Sequence, residues 1–227
     1  MLLIIDTLLD ASCLRVCRER LEEAEWQDGR VTAGTLSASV KHNEQLDSGG
    51  SLAIELGQLM LRSLSQHPQF LSAALPQTLH PPRFNRYRNG GHYGTHVDAA
   101  VMRIDPRGPL LRSDLSATIF LSEPEEYEGG ELVIETEFGA QEVKLAAGAM
   151  VLYPSSSLHQ VRPVNGGARI AAILWLQSLV RDPGARALLY ELDQTAQKLG
   201  AEFPADDPRL LSLTAIYHNL LRRWSEP

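Results

Sequence analysis

The residues of this chain whose types and spacing could do chemistry are His96 and Asp98 in the run His96-Val97-Asp98, then His159, then Arg169. Two imidazoles and one carboxylate can hold a divalent metal on one side and leave the other side open, as in non-haem Fe(II) oxygenase sites. Arg169, ten residues beyond the second histidine, suits an anionic co-substrate, because guanidinium binds carboxylate through two parallel charge-assisted hydrogen bonds. Residues two apart on an extended segment point the same way, so His96 and Asp98 could reach one ion without a bend. His159 lies on a separate β-like run and is expected to approach from the opposing sheet. A zinc hydrolase uses similar ligands, so the triad alone leaves the metal open, and His-x-Asp also arises by chance.

The neighbouring sequence bears on that choice. The triad follows a glycine-rich aromatic run, Tyr87 to Thr95, which lets backbone approach a site closely. His42, His67, His80, His92 and His218 have no comparable partner in sequence; His92 reads as a residue that supports the ligands from behind or stands at the entrance. Arg169 opens an apolar strand and is either a surface residue at a strand end or an inward cation that needs an anion. If Asn165-Gly166-Gly167 forms a three-residue hairpin loop, Arg169 pairs with Pro163 and shares a face with His159. A two-residue loop would turn it outward. Four residues at ~3.3 Å each span roughly 13 Å, which an arginine and a five-carbon diacid such as 2-oxoglutarate can bridge.

The elements that must position these groups follow from pattern. Leu2–Ile5 reads as a strand, and Asp10 can cap a helix running to about Trp26 with Cys13 and Cys17 facing the core. Residues 30–50 read as a loop with an extended piece, Leu52–Leu64 as a helix, and Phe70–Leu75 as a further turn. From about Pro81 short β-like runs alternate with Gly-rich breakers, which implies a jelly roll. Beyond Gln177 two helices return, with stripes of Leu188, Leu189, Leu192, Ala196 and Leu199, then of Leu210, Leu211, Leu213, Ile216, Tyr217 and Leu220. Trp26 and Trp175 read as core. The expected class is α+β with a mainly β core: a double-stranded β-helix at 78–178, N-terminal strand and helices at 1–77, and a C-terminal helical extension at 179–227.

Composition narrows the partners. The chain has 227 residues, with 21 basic against 28 acidic side chains and a net charge of −7. That balance gives no electrostatic footprint for nucleic acid or an anionic membrane. Met1–Ile5 lacks a basic flank and no apolar run is long enough to span a bilayer, so neither a signal peptide nor a membrane span is expected. The expected home is a reducing cytoplasm. The C-terminal helices are expected to pack on this chain or to form a homo-oligomer contact.

Longer motifs carry a resemblance. Arg83-Phe84-Asn85-Arg86-Tyr87, Gly90 to Asp98, Asp114 to Thr118, Tyr127 to Leu132 and Leu152 to His159 closely resemble the bacterial PKHD-type hydroxylases. These are Fe(II)/2-oxoglutarate dioxygenases related to prolyl and lysyl hydroxylases, and they include an iron-uptake factor. The resemblance implies Fe(II) held by His96, Asp98 and His159, Arg169 as the 2-oxoglutarate anchor, dioxygen as co-substrate, and L-ascorbate (vitamin C) as a candidate reductant. It further implies hydroxylation coupled to decarboxylation of 2-oxoglutarate to succinate and carbon dioxide. Prolyl hydroxylases add a tyrosine hydroxyl where this chain has Phe120; Tyr87, Ser116, Thr118 or Ser157 could replace it, and Tyr87 reads equally well as a core aromatic. An iron- or oxygen-responsive binding module with little turnover and a cupin-like zinc enzyme stay as alternatives. The hydroxylated substrate, a protein side chain or an iron-linked small molecule, is not legible.

Overall fold

The computed structural model describes all residues except 33–38 and 105–106, together with the side chain of Thr32. The extended piece expected within residues 30–50 therefore falls partly outside the described residues. In chain order the N-terminal elements are β1 (Leu3–Ile5), α1 (Ala11–Glu22), β2 (Gln27–Asp28), β3 (Lys41–His42), β4 (Glu44–Gln45), α2 (Ser51–Gln66) and α3 (Pro68–Ala74). The β region comprises β5 (Pro76–Leu79), β6 (Arg83–Arg88), β7 (Gly91–His96), β8 (Val101–Arg103), β9 (Leu110–Arg112), β10 (Leu115–Phe120), β11 (Tyr127–Gly129), β12 (Leu132–Thr136), β13 (Gly139–Val143), β14 (Met150–Pro154) and β15 (His159–Ser178). Helices α4 (Pro183–Gly200) and α5 (Pro208–Trp224) close the chain.

Two antiparallel sheets face each other. The larger runs β1-β14-β10-β15-β6-β4-β2, and in the smaller, β3, β7, β15, β12 and β13 are neighbours. β15 belongs to both: His159 to Val164 pair in the smaller sheet and Ala168 to Ser178 in the larger. The expected hairpin at Asn165-Gly166-Gly167 is therefore absent, and the chain passes through those residues without reversing. The local signal for a turn was real, since Gly167 has φ 68°. Pairing decides the outcome: Gly166 and Gly167 lie against β11, and Ala168 already pairs with Arg88 of β6.

Strand alternation sorts the larger sheet into two faces. Leu115, Ala117, Ile119, Ala172, Leu174 and Leu176 face outward and join Leu21, Leu56, Met60 and Phe70 of the helices in one buried cluster. The alternate residues face the smaller sheet and line the space between. Cys17 is fully buried and Cys13 partly so, both as free thiols. Asp10 caps α1 by accepting from the Cys13 amide, but the helix stops at Glu22, short of Trp26, because the chain turns there into β2.

The C-terminal helices bury less than their leucine content suggests. Leu189 is fully buried with Leu75, Val180 and Ala185. Leu188, Leu211 and Ile216 are 58, 56 and 47% exposed, so the two expected stripes are not buried as drawn. Arg186 is buried and donates to the carbonyls of Val180 and Arg181 at 2.6 and 2.9 Å, which ties α4 to the end of β15. Among the described residues no helix is long and apolar enough to cross a membrane.

The crossing of β15 between sheets is a sensitive point. A Cβ at Gly167 would overlap the Glu126 carbonyl oxygen, on a backbone that L-residues rarely adopt. Gly167→Ala is expected to lower stability by about 2 to 4 kcal/mol, read as a fall in the urea midpoint at unchanged m-value.

Candidate metal centre and co-substrate cavity

His96 ends β7 and His159 begins the paired part of β15, and the two are direct cross-strand partners in the smaller sheet. His159 therefore does not come from the opposing sheet; the two imidazoles stand side by side, ring centroids 4.2 Å apart. Asp98 follows in the loop after β7. The ligand atoms of His96, Asp98 and His159 all lie within 4.8 Å of one another.

Each group is prepared for a cation by its own hydrogen bonds. Nδ1–H of His96 donates to the Gly94 carbonyl at 2.8 Å, and Nδ1–H of His159 donates to the Ser157 carbonyl at 3.0 Å. That tautomer leaves each Nε2 lone pair free to ligate. Ser116 Oγ donates to Asp98 Oδ2 at 2.6 Å and contacts Ser155 Oγ at 2.8 Å, which orients the carboxylate. Burial, with His159 adding to it, holds the His96 imidazole well below its usual pKa range, so it is neutral at physiological pH, as metal ligation requires. Tyr93 stacks on the His96 ring at 3.6 Å and fixes its plane. Two imidazole nitrogens and one carboxylate, open on one side, are a donor set that fits a divalent first-row metal. Ser116→Ala is expected to weaken metal affinity ~10- to 100-fold, the usual effect of removing a partner of a ligand, measured by competition with a chromogenic chelator.

The three groups line a cavity of about 280 Å³ together with Arg169, Tyr87, Tyr153, Thr118 and Trp175. Arg169 is 2% exposed. Its guanidinium lies 5.4 Å from the Tyr87 ring and 5.2 Å from the Phe120 ring. Its Nε is buried without a hydrogen-bond partner, and no carboxylate pairs with it among the described residues. Arg169 thus points inward, set by its pairing with Tyr87 on β6 rather than by the hairpin expected from sequence. A desolvated guanidinium facing a cavity fits an incoming carboxylate.

The other named residues sort as follows. Tyr87 is 3% exposed, and burial pushes its phenol up to about 12; it stays protonated beside Arg169. Phe120, expected from the resemblance to stand where prolyl hydroxylases have a tyrosine, places its ring 5.2 Å from the Arg169 guanidinium. Thr118 lines the cavity, Ser116 serves Asp98, and Ser157 serves His159 through its carbonyl. His92 is not at the entrance: it packs against His42 at 4.6 Å, outside the cavity lining. Trp175 is buried, but it faces the cavity instead of filling the core. Sequence reading passed over Tyr153, whose ring meets His159 at 5.2 Å, and also Tyr93, Lys41 and Arg83. Tyr153 was findable, because alternation along Met150–Pro154 puts it on the same face as Val151.

Similarity to known proteins is extensive. Residues 82–177 match the profile of the 2OG-Fe(II) oxygenase superfamily, and residues 184–226 match the PKHD-type hydroxylase C-terminal domain. A PKHD-type hydroxylase of Teredinibacter turnerae is 59% identical over 226 residues, covering 100% of both chains. The chain belongs to the PKHD-type hydroxylase family. As a PKHD-type hydroxylase it is an enzyme of the 2-oxoglutarate-dependent dioxygenase class, whose cofactors are Fe(II), 2-oxoglutarate and dioxygen. Solved structures agree on the fold. A prolyl hydroxylase of Trichoplax adhaerens, in complex with a hypoxia-inducible-factor peptide, aligns with TM-score 0.56 at 18% identity, covering 82% of this chain and 86% of that one. A Pseudomonas putida prolyl-4-hydroxylase aligns with TM-score 0.53 at 23% identity, covering 78% and 92%. These PKHD-type and prolyl hydroxylase folds share the jelly roll.

Proposed function

We propose that this PKHD-type hydroxylase binds Fe(II) through His96, Asp98 and His159, anchors the distal carboxylate of 2-oxoglutarate on Arg169, and hydroxylates a C–H bond of a second substrate. The observation that supports this most is one cavity holding both the three-ligand cluster and a buried, anion-free guanidinium. Bound there, iron with 2-oxoglutarate and dioxygen supplies the oxidising chemistry, converting 2-oxoglutarate to succinate and carbon dioxide while a substrate C–H becomes C–OH. Backbone and side chains do the rest. The Gly94 and Ser157 carbonyls hold the imidazole tautomers, Ser116 holds the carboxylate, and Arg169 neutralises the co-substrate's far end. Tyr87 and Tyr153 wall the cavity against water, which strengthens every charge interaction inside it. The phenol of Tyr153, raised well above its usual range by burial, remains a neutral donor.

The finer parts of the reading are the substrate, the reductant and the location. A protein side chain or an iron-linked small molecule is the substrate class, L-ascorbate restores the ferrous state, and the reducing cytoplasm is the working compartment. Anaerobically reconstituted protein should consume oxygen and release succinate only when Fe(II) and 2-oxoglutarate are both present. Turnover with Zn(II) in place of Fe(II) would overturn the reading.

A further inference from the structure

The cavity carries more positive charge than the chemistry above uses. Asp98 is the only carboxylate among the described residues lining it, against Lys41, Arg83, Arg103 and Arg169. A divalent metal and dianionic 2-oxoglutarate cancel, and Asp98 offsets a single cation, so the loaded cavity keeps surplus positive charge.

Arg83 is the informative member. It sits on the inner face of β6 four residues from Tyr87, paired with Ile173 where Tyr87 pairs with Arg169. The backbone roots of the two arginines are thus roughly 13 Å apart along the sheet, and Arg83 stands beside Trp175, whose strand partner is Ser116. Its guanidinium lies 5.5 Å from the Trp175 ring, and its Nε is buried without a hydrogen-bond partner. Arg83 forms no ion pair among the described residues, and burial pulls its pKa down with no carboxylate to oppose it. A ring face offsets only part of the cost of a desolvated guanidinium. Lys41, 5% exposed, lies within Coulombic reach of Arg83. A second, larger groove of about 890 Å³, lined mainly by apolar residues such as Leu46, Ala53, Ile54 and Leu61 with Asp28 and Asp47 among them, meets the cavity at Gln45, Arg83 and Arg103. Arg83 therefore stands where an apolar path from outside opens onto the metal ligands.

Building on the function proposed above, we propose that Arg83, with Lys41 beside it, docks a carboxylate of the primary substrate, which is a carboxylic acid with an apolar portion that lies in the groove. The planar guanidinium selects a carboxylate over a neutral amide because only the anion accepts both hydrogen bonds with full charge assistance.

The experiment uses full-length protein loaded with Mn(II) and 2-oxoglutarate and titrates N-acetyl-L-amino acids with apolar side chains, each against its own carboxamide. The acids are expected to bind at least tenfold tighter than the amides. Arg83→Met should erase that preference, and Arg83→Lys should restore part of it. The Arg83→Met protein should keep its 2-oxoglutarate affinity within about twofold and melt close to the wild type, since Arg83 is half-buried and forms no ion pair among the described residues. Equal binding of acid and amide by the wild type overturns the proposal, as does an unchanged preference in Arg83→Met. A large loss of 2-oxoglutarate affinity in Arg83→Met overturns it too, by assigning Arg83 to the co-substrate. Failure of the wild type to bind 2-oxoglutarate at all would instead count against the underlying function.

Discussion

Protein carrying His159→Ala is expected to form no measurable succinate from 2-oxoglutarate and to retain less than one iron per chain after reconstitution. His159 is 5% exposed, its Nε2 lies 3.8 Å from Asp98 Oδ2, and its Nδ1 is already committed to Ser157. No other imidazole could take its place, since His92 packs against His42 and His80 against Trp175. Losing a partner of a ligand costs ~10- to 100-fold, so losing the ligand itself should cost on the order of 10³-fold or more. His92→Ala is the matched control and should turn over normally, because His92 lies outside the cavity lining. Succinate formation by His159→Ala within tenfold of wild type would remove His159 from the metal site.

The second large effect belongs to Arg169. Arg169→Met should raise the KM for 2-oxoglutarate by several hundred-fold, because two hydrogen bonds to a charged group contribute about 1.5 to 3 kcal/mol each and every 1.4 kcal/mol is about tenfold. The same variant is expected to be as stable as wild type or more so without ligand, since Arg169 is 2% exposed, its Nε has no hydrogen-bond partner, and aromatic rings including those of Tyr87 and Phe120 surround it. In the presence of 2-oxoglutarate at about 100 times its Kd, wild type should gain about 2.7 kcal/mol that Arg169→Met does not. Loss of stability in the ligand-free variant would mark Arg169 as a structural residue instead.

The clustered candidate ligands and the jelly roll were legible in the sequence because both are written locally. His-x-Asp is a fixed spacing, and short runs between glycines report strands wherever they pair. Partner identity was not legible. The reading put His159 on the opposite sheet from His96, whereas the two are paired neighbours. Asn165-Gly166-Gly167 has the composition of a hairpin loop, yet β11 and β6 pair with the chain on either side of it and draw it straight on. Arg169 was expected inward from a hairpin that does not form, and it lies inward because Ala168 to Ile173 pair in regular register with β6, after shifts in register between His159 and Val164 have reset the alternation. Lys41 and Arg83 were missed for a related reason: each is an ordinary surface cation in sequence and becomes a cavity residue only when β3 and β6 find their partners.

The uninterrupted β15 also works as a gauge. It carries His159 near one end and Arg169 ten residues on, so in the proposed reading the distance from a bound metal to the guanidinium is set by covalent chain and by two sheets clamped on it, not by a loop that could adjust. A dicarboxylic acid that must touch both ends is thereby measured for length. Oxaloacetate, one carbon shorter, would fall short of the guanidinium, and 2-oxoadipate, one carbon longer, would have to buckle. Under the proposed function, discrimination among keto-diacids is expected to follow from how the paired backbone spaces His159 and Arg169.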